Sequence, residues 1–97
     1  MTVERYYKKH FSHFLKKQSR AFQASIEDHI ELISNNPLLG ELKTGDLADI
    51  RVYKFKFNRQ EYLLAYKHIL LNDYIDFYQI GVHENFYDEL KNYIKTF

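Results

Sequence analysis

The chain has 97 residues, of which 45% are apolar and 18% aromatic, with three glycines, one proline and no cysteine. Disulfide staples, thiolate metal sites, and collagen-like or low-complexity chains are thereby excluded. Lys plus Arg is 14 against 13 for Asp plus Glu, a net charge of +1, which argues against a polybasic nucleic-acid tail while leaving room for a basic face.

At this length a single domain over residues 1–97 is expected, held together by packing alone. The first residues, Met1 to Lys9, contain no long apolar stretch, so no signal peptide is expected. No apolar run approaches the roughly 20 residues of a membrane span. The expectation is a cytoplasmic protein with no membrane partner.

Val3 to Lys8 is short and aromatic and reads equally as a strand or a helix start. From His10 the period turns helical, with Phe11, Phe14 and Leu15 on one side and Lys16 and Lys17 away from it. Ser19 is a candidate N-cap for a second helix whose apolar positions are Phe22, Ile26, Ile30 and Ile33. Asn35-Asn36-Pro37 ends that helix. Leu38 to Ile50 reads as a connection with turn signals at Gly40 and Gly45-Asp46.

Three strands then follow. Arg51 to Phe57 alternates strictly, with Tyr53, Phe55 and Phe57 on one face and Val52, Lys54 and Lys56 on the other. Asn58-Arg59-Gln60 links it to a strand over Glu61 to His68, and Asn72-Asp73 turns into a strand over Tyr74 to Ile80. Short links in sequential order predict an antiparallel meander. Glu84 to Phe97 is helical, with a stripe of Phe86, Leu90, Tyr93, Ile94 and Phe97. The predicted class is α+β: an N-terminal helical hairpin packed on an antiparallel sheet, with a C-terminal helix. The helices are expected to cover one sheet face and leave the lysine-bearing face partly open.

Three groupings could carry chemistry. Arg51, Lys54, Lys56 and Arg59 are four cations with no acid between them, and Lys54 and Lys56 lie about 7 Å apart on one face. They suit a phosphate backbone, or form a solvated face whose lysines discourage edge pairing. Tyr62, Tyr66, Tyr74 and Tyr78 pair by parity. They could stack bases on an open face, or pack at the edge of the core with wet hydroxyls. His83 follows the last strand, and Tyr87 sits one helical turn on. The imidazole suits proton transfer near neutrality; alternatively His83 or Glu84 merely caps the final helix. His10 and His13, a lone pair three residues apart, make weak evidence for a metal, and His68 has no evident partner. The sequence has no nucleophile-elbow, phosphate-loop or zinc signature. No cofactor or metal is expected.

Leu42-Lys43-Thr44-Gly45-Asp46, Tyr53-Lys54-Phe55-Lys56-Phe57, Tyr62-Leu63-Leu64-Ala65-Tyr66, and Ile80-Gly81-Val82-His83 with Tyr87 occur in an order and spacing that resemble the RelE/ParE superfamily. These are toxins of bacterial type II toxin–antitoxin systems, and the Gly81–Tyr87 segment looks most like a divergent ParE-like branch. The resemblance implies a helical hairpin on a curved antiparallel sheet, Val3 to Lys8 as the first strand, and a cognate antitoxin as partner. It also implies one of two activities. RelE-type members cleave messenger RNA on the ribosome, and that reading gives Arg51, Lys54, Lys56 and Arg59 to the nucleic acid and His83 and Tyr87 to proton transfer. ParE-type members inhibit DNA gyrase by binding, without catalysis. Two positions depart from the RelE-type pattern: Leu63 and His83 stand where that pattern has arginines. Some ribonuclease toxins of this fold use a histidine.

Overall fold

The computed structural model describes residues 3–96. In chain order the elements are β1 (Glu4–Tyr7), α1 (Lys9–Lys16), α2 (Arg20–Asn35), β2 (Glu41–Leu42), a 3₁₀ turn (Gly45–Leu47), β3 (Arg51–Phe57), β4 (Gln60–Ile69), β5 (Tyr74–Gly81) and α3 (Phe86–Ile94). The strands form one sheet in the order β1-β5-β4-β3-β2. β2 to β5 are antiparallel, as the short links require, while β1 joins β5 in parallel. The ambiguous N-terminal segment is therefore a strand.

Local chemistry accounts for the element ends. The Ser19 side chain accepts from the Phe22 N–H at 3.2 Å, capping α2. Asn58 and Arg59 both have positive φ, 50° and 68°, so the β3–β4 link is a two-residue turn matched to the strand twist. Gln60, expected in that link, pairs with Phe57 instead. The Leu38 to Ile50 connection contains β2 and the 3₁₀ turn, both too short to have a detectable period. α3 begins two residues later than expected, at Phe86, and the predicted stripe member Phe97 lies outside the described residues.

The alternation of β3 holds, but the sheet is covered on both faces. α1 and α2 pack Phe11, Phe22, Ile26, Ile30 and Ile33 against Phe55, Leu64, Tyr66, Ile75 and Phe77. α3 packs on the opposite face, where Phe86 and Leu90 meet Val52, Leu63, Ala65, Leu47 and Ile50. The expectation that all helices share one face is thus corrected. Leu63 and Ala65 alternate with Leu64 and Tyr66, and all four are buried, so β4 is apolar on both faces and needs a cover on each. Burying Phe86 and Leu90 contributes about 1.5–3 kcal/mol apiece.

Candidate functional site

The lysine face is the face α3 covers in part. Across the sheet, Lys54 pairs with Leu63, and Leu63 with Gly81. One row of the sheet thus runs from Lys54 to the residue where β5 ends, about 10 Å away over two strand spacings. His83 and Tyr87 come directly after that point.

The segment between β5 and α3 turns sharply at Asn85, whose φ is 61°. Asn85 occupies the N-cap position without a side-chain cap bond. His83 and Glu84 therefore do not cap the helix, and only the His83 carbonyl takes part, accepting from the Phe86 N–H at 3.1 Å. The imidazole is exposed and meets the Tyr87 ring edge-on, with centroids 5.8 Å apart. The Tyr87 ring is half-buried beside Phe86. Buried Gln79 on β5 donates from Nε2 to the Phe86 carbonyl at 3.1 Å, tying the start of α3 to the sheet.

Lys43 completes this group and was not among the residues picked out by pattern. Its Nζ lies 5.3 Å from the centroid of the Tyr87 ring, a cation–π distance, and 2.5 Å from Glu41 Oε1. The hydrogen bond that Lys43 donates to Glu41 raises the Lys43 pKa, and the same bond lowers that of Glu41. The charge of Lys54 lowers Glu41 further. The available signal was the Leu42-Lys43-Thr44-Gly45 turn, but only the pairing of β2 with β3 brings Lys43 to Tyr87.

The other predicted residues separate. Lys54 and Lys56 are exposed on one face, yet each has an acid close by on an adjacent strand. Glu61 lies directly opposite Lys56. Glu41, opposite Val52, lines a shallow cavity with Lys54. Arg59 is exposed at the tip of the β3–β4 turn. Arg51 falls on the face that α1 and α2 cover, where Nη1 donates to the Gly40 carbonyl at 2.8 Å. The structure does not bring Arg51 to the lysines.

Tyr62 packs its ring among Phe14, Phe22 and Phe55, and Tyr66 is fully buried, so neither presents a stacking surface. Tyr74 meets Tyr6 edge-on, and Tyr78 is half-buried under Lys8. His10 stacks on Tyr93 at 3.6 Å, and His68 Nε2 lies 2.9 Å from Asp73 Oδ1. Among the described residues no group of three or more His, Asp or Glu side chains could hold a metal ion. No helix among them is long and apolar enough to cross a membrane.

Residues 6–91 match the family described as ParE-like toxins of type II bacterial toxin–antitoxin systems. This chain belongs to that family. A comparison with curated proteins finds no match. Among solved structures, the toxin is similar to a mutant of the Escherichia coli RelE toxin in the free state. The two are 15% identical with a TM-score of 0.72, over 99% of this chain and 98% of that one. A RelBE toxin–antitoxin complex from Mycobacterium tuberculosis matches at 14% identity and a TM-score of 0.72, over 86% of this chain and 100% of that one. The archaeal RelE–RelB complex from Pyrococcus horikoshii matches at 15% identity and a TM-score of 0.60, over 84% and 96%. At such identities the likeness is one of fold. The toxin shares with them the mixed α+β architecture expected from its sequence.

Proposed function

We propose that this toxin inhibits bacterial growth as a ribosome-dependent messenger-RNA endoribonuclease whose proton-transfer pair is His83 and Tyr87. The observation that carries the reading is their meeting at 5.8 Å, with Lys43 over the Tyr87 ring. Both stand at the end of the row that begins at Lys54.

The chemistry is attack of a ribose 2′-oxygen on the adjacent phosphorus. The O2′–P bond forms and the P–O5′ bond breaks, leaving a 2′,3′-cyclic phosphate and a 5′-hydroxyl. A base must take the 2′-proton and an acid must supply one to O5′. His83, exposed between β5 and α3, is the base that takes the 2′-proton, and the Tyr87 hydroxyl is the acid that supplies one to O5′. Lys43, Lys54, Lys56 and Arg59 supply positive charge for the phosphate as its charge grows in the transition state. A cognate antitoxin is the partner, as in the toxin–antitoxin complexes of the similar structures, and the cytoplasm is where such a target is met.

Two features favour a second reading, inhibition of DNA gyrase by binding alone. Leu63, an apolar residue buried in the middle of the row, stands where the RelE-type pattern has an arginine. Glu41 and Glu61 offset the charge of Lys54 and Lys56.

One experiment separates the two readings. The toxin and its His83→Ala variant are induced in cells, transcript ends are mapped, and supercoiling by purified gyrase is measured alongside. New 5′-hydroxyl ends that vanish with His83→Ala support cleavage. Growth arrest with intact transcripts and inhibited gyrase overturns it in favour of the second reading.

A further inference from the structure

The net charge of the toxin conceals a strong separation of charge along the chain. Residues 1–26 hold six of the 14 Lys and Arg and one of the 13 acids. The remainder holds eight cations and twelve acids. The cations of β3 have Glu41 and Glu61 beside them, whereas no acid occurs between Arg5 and Ile26. Half of these early cations, Lys9, Lys16 and Lys17, belong to α1 and its link to α2. At the helical period, Lys9, His13, Lys16 and Lys17 fall on one side of α1, within about 100° of arc, and all are exposed. Exposed Arg20 opens α2 beside them. Among the described residues, ion pairs join Arg5 to Glu31, Lys43 to Glu41 and His68 to Asp73. None of these pairs takes Lys9, Lys16, Lys17 or Arg20.

We infer that this face of α1 is a second binding surface of the toxin, and that its ligand is the phosphodiester backbone of a nucleic acid. Three observations choose that ligand. First, the exposed side is cationic and carries no large apolar side chain. Among the described residues the exposed large hydrophobics lie elsewhere, in β1, α2, the β2 region, the β4–β5 turn and Val82. A protein interface would centre on apolar or aromatic anchors. Secondly, the apolar side of α1 is already used. Phe11 is fully buried against Phe77, and Phe14 packs on Phe22. The helix therefore has no apolar face to place in a lipid surface. Thirdly, the face adjoins the site described above. His13 and Lys17 line a cleft of about 240 Å³ with Ile80 and Glu89, and Ile80 immediately precedes Gly81, where the Lys54 row ends. Residues of α1, β5 and α3 thus meet in one cleft at the edge of β5, next to the end of that row. Glu89 is the acid facing it there.

The inference goes beyond the nuclease reading and is independent of it, since it concerns binding and not proton transfer. Its test is the salt dependence of binding, followed by fluorescence anisotropy with labelled single-stranded RNA, duplex RNA and duplex DNA. The proteins are the purified toxin and a Lys16→Gln, Lys17→Gln, Arg20→Gln variant. The slope of log K against log salt falls by about two units in the variant, at roughly 0.7–0.9 per lost contact. Affinity in ~100 mM salt drops at least tenfold. The RNA and DNA arms show which backbone is preferred, and Lys16→Arg, Lys17→Arg retains the slope of the parent. Circular dichroism verifies that each variant is folded. An unchanged slope in the folded Gln variant overturns the inference, as does loss of antitoxin binding with nucleic-acid binding intact. A His83→Ala protein that binds but does not cleave leaves the inference standing.

Discussion

Gly40 and Tyr66 are in direct contact: the Gly40 N–H donates to the Tyr66 hydroxyl at 2.9 Å, and the ring leaves no room for a β-carbon on Gly40. The same hydroxyl donates to the Pro37 carbonyl at 2.7 Å, and Arg51 holds the Gly40 carbonyl from the other side. This buried clamp fixes the chain as it leaves α2, and so sets where β2, Glu41 and Lys43 lie. Removing the hydroxyl with Tyr66→Phe strands one donor and one acceptor and is expected to cost about 1–3 kcal/mol. A β-carbon on Gly40 would lie 2.9 Å from Tyr66 Cε1 and 3.1 Å from Arg51 Cβ, so Gly40→Ala is expected to cost a similar amount through overpacking. Urea titrations of both variants check this. A midpoint equal to that of the parent would mean the clamp is not stabilising.

His29 predicts a pH dependence of stability. Its Nδ1 lies 2.7 Å from the Tyr53 hydroxyl and its ring packs on Phe55. Burial lowers its pKa, partly opposed by Asp28. With the imidazole neutral, the Tyr53 O–H donates to Nδ1. The folded protein then binds fewer protons at this site than the unfolded chain, whose His titrates near 6.5. The stabilisation is complete above that pH and is lost as pH falls toward the depressed folded value. Denaturation free energies measured between about pH 7.5 and pH 5.5 are expected to fall toward acid, and His29→Gln should reduce that slope. An equal slope in both proteins would contradict the assignment.

The β3–β4 turn gives a third expectation. Arg59 adopts φ 68° in the second position of a two-residue turn, where glycine carries no steric cost. Arg59→Gly is expected to raise stability by up to about 1 kcal/mol, since the relieved strain exceeds the added freedom of the unfolded chain. A lower melting temperature would show that the Arg59 side chain contributes more than the strain removes.

Stability and activity should separate within the segment Gly81–Phe86. His83 is exposed, so His83→Ala is expected to change stability by no more than about 0.5 kcal/mol, while RNA cleavage falls roughly 10²–10⁴-fold. Phe86 is 1% exposed, so Phe86→Ala is expected to cost about 3–5 kcal/mol. Thermal melts run beside a cleavage assay test both. A destabilised His83→Ala protein would make its loss of activity uninformative about proton transfer and contradict the first expectation.

Much of this was legible in the sequence because it is local. The alternation from Tyr53 to Phe57 is set by a two-residue period, and both its faces are as expected. The start of α2 follows from one hydroxyl, Ser19, three residues before the N–H it accepts from. The nearness of His83 and Tyr87 follows from their separation of four residues, although the chain between them bends at Asn85 and is not a turn of helix. The stripe of Phe86, Leu90 and Ile94 announced a helix that must bury one side, but a stripe does not name the surface that will cover it.

The amino-acid sequence by itself therefore determined the three helices, the strands β3 to β5, their order and the kinship with type II toxins. Only the tertiary structure decided that α3 lies on the lysine-bearing face. It also put Glu41 and Glu61 beside Lys54 and Lys56, tied Arg51 to the Gly40 carbonyl, and set Lys43 over Tyr87. The physical reason is separation along the chain. Periodicity and capping act over a few residues, whereas these pairings come from a two-residue β2, from β4 being apolar on both faces, and from a buried clamp at Tyr66 that links distant segments.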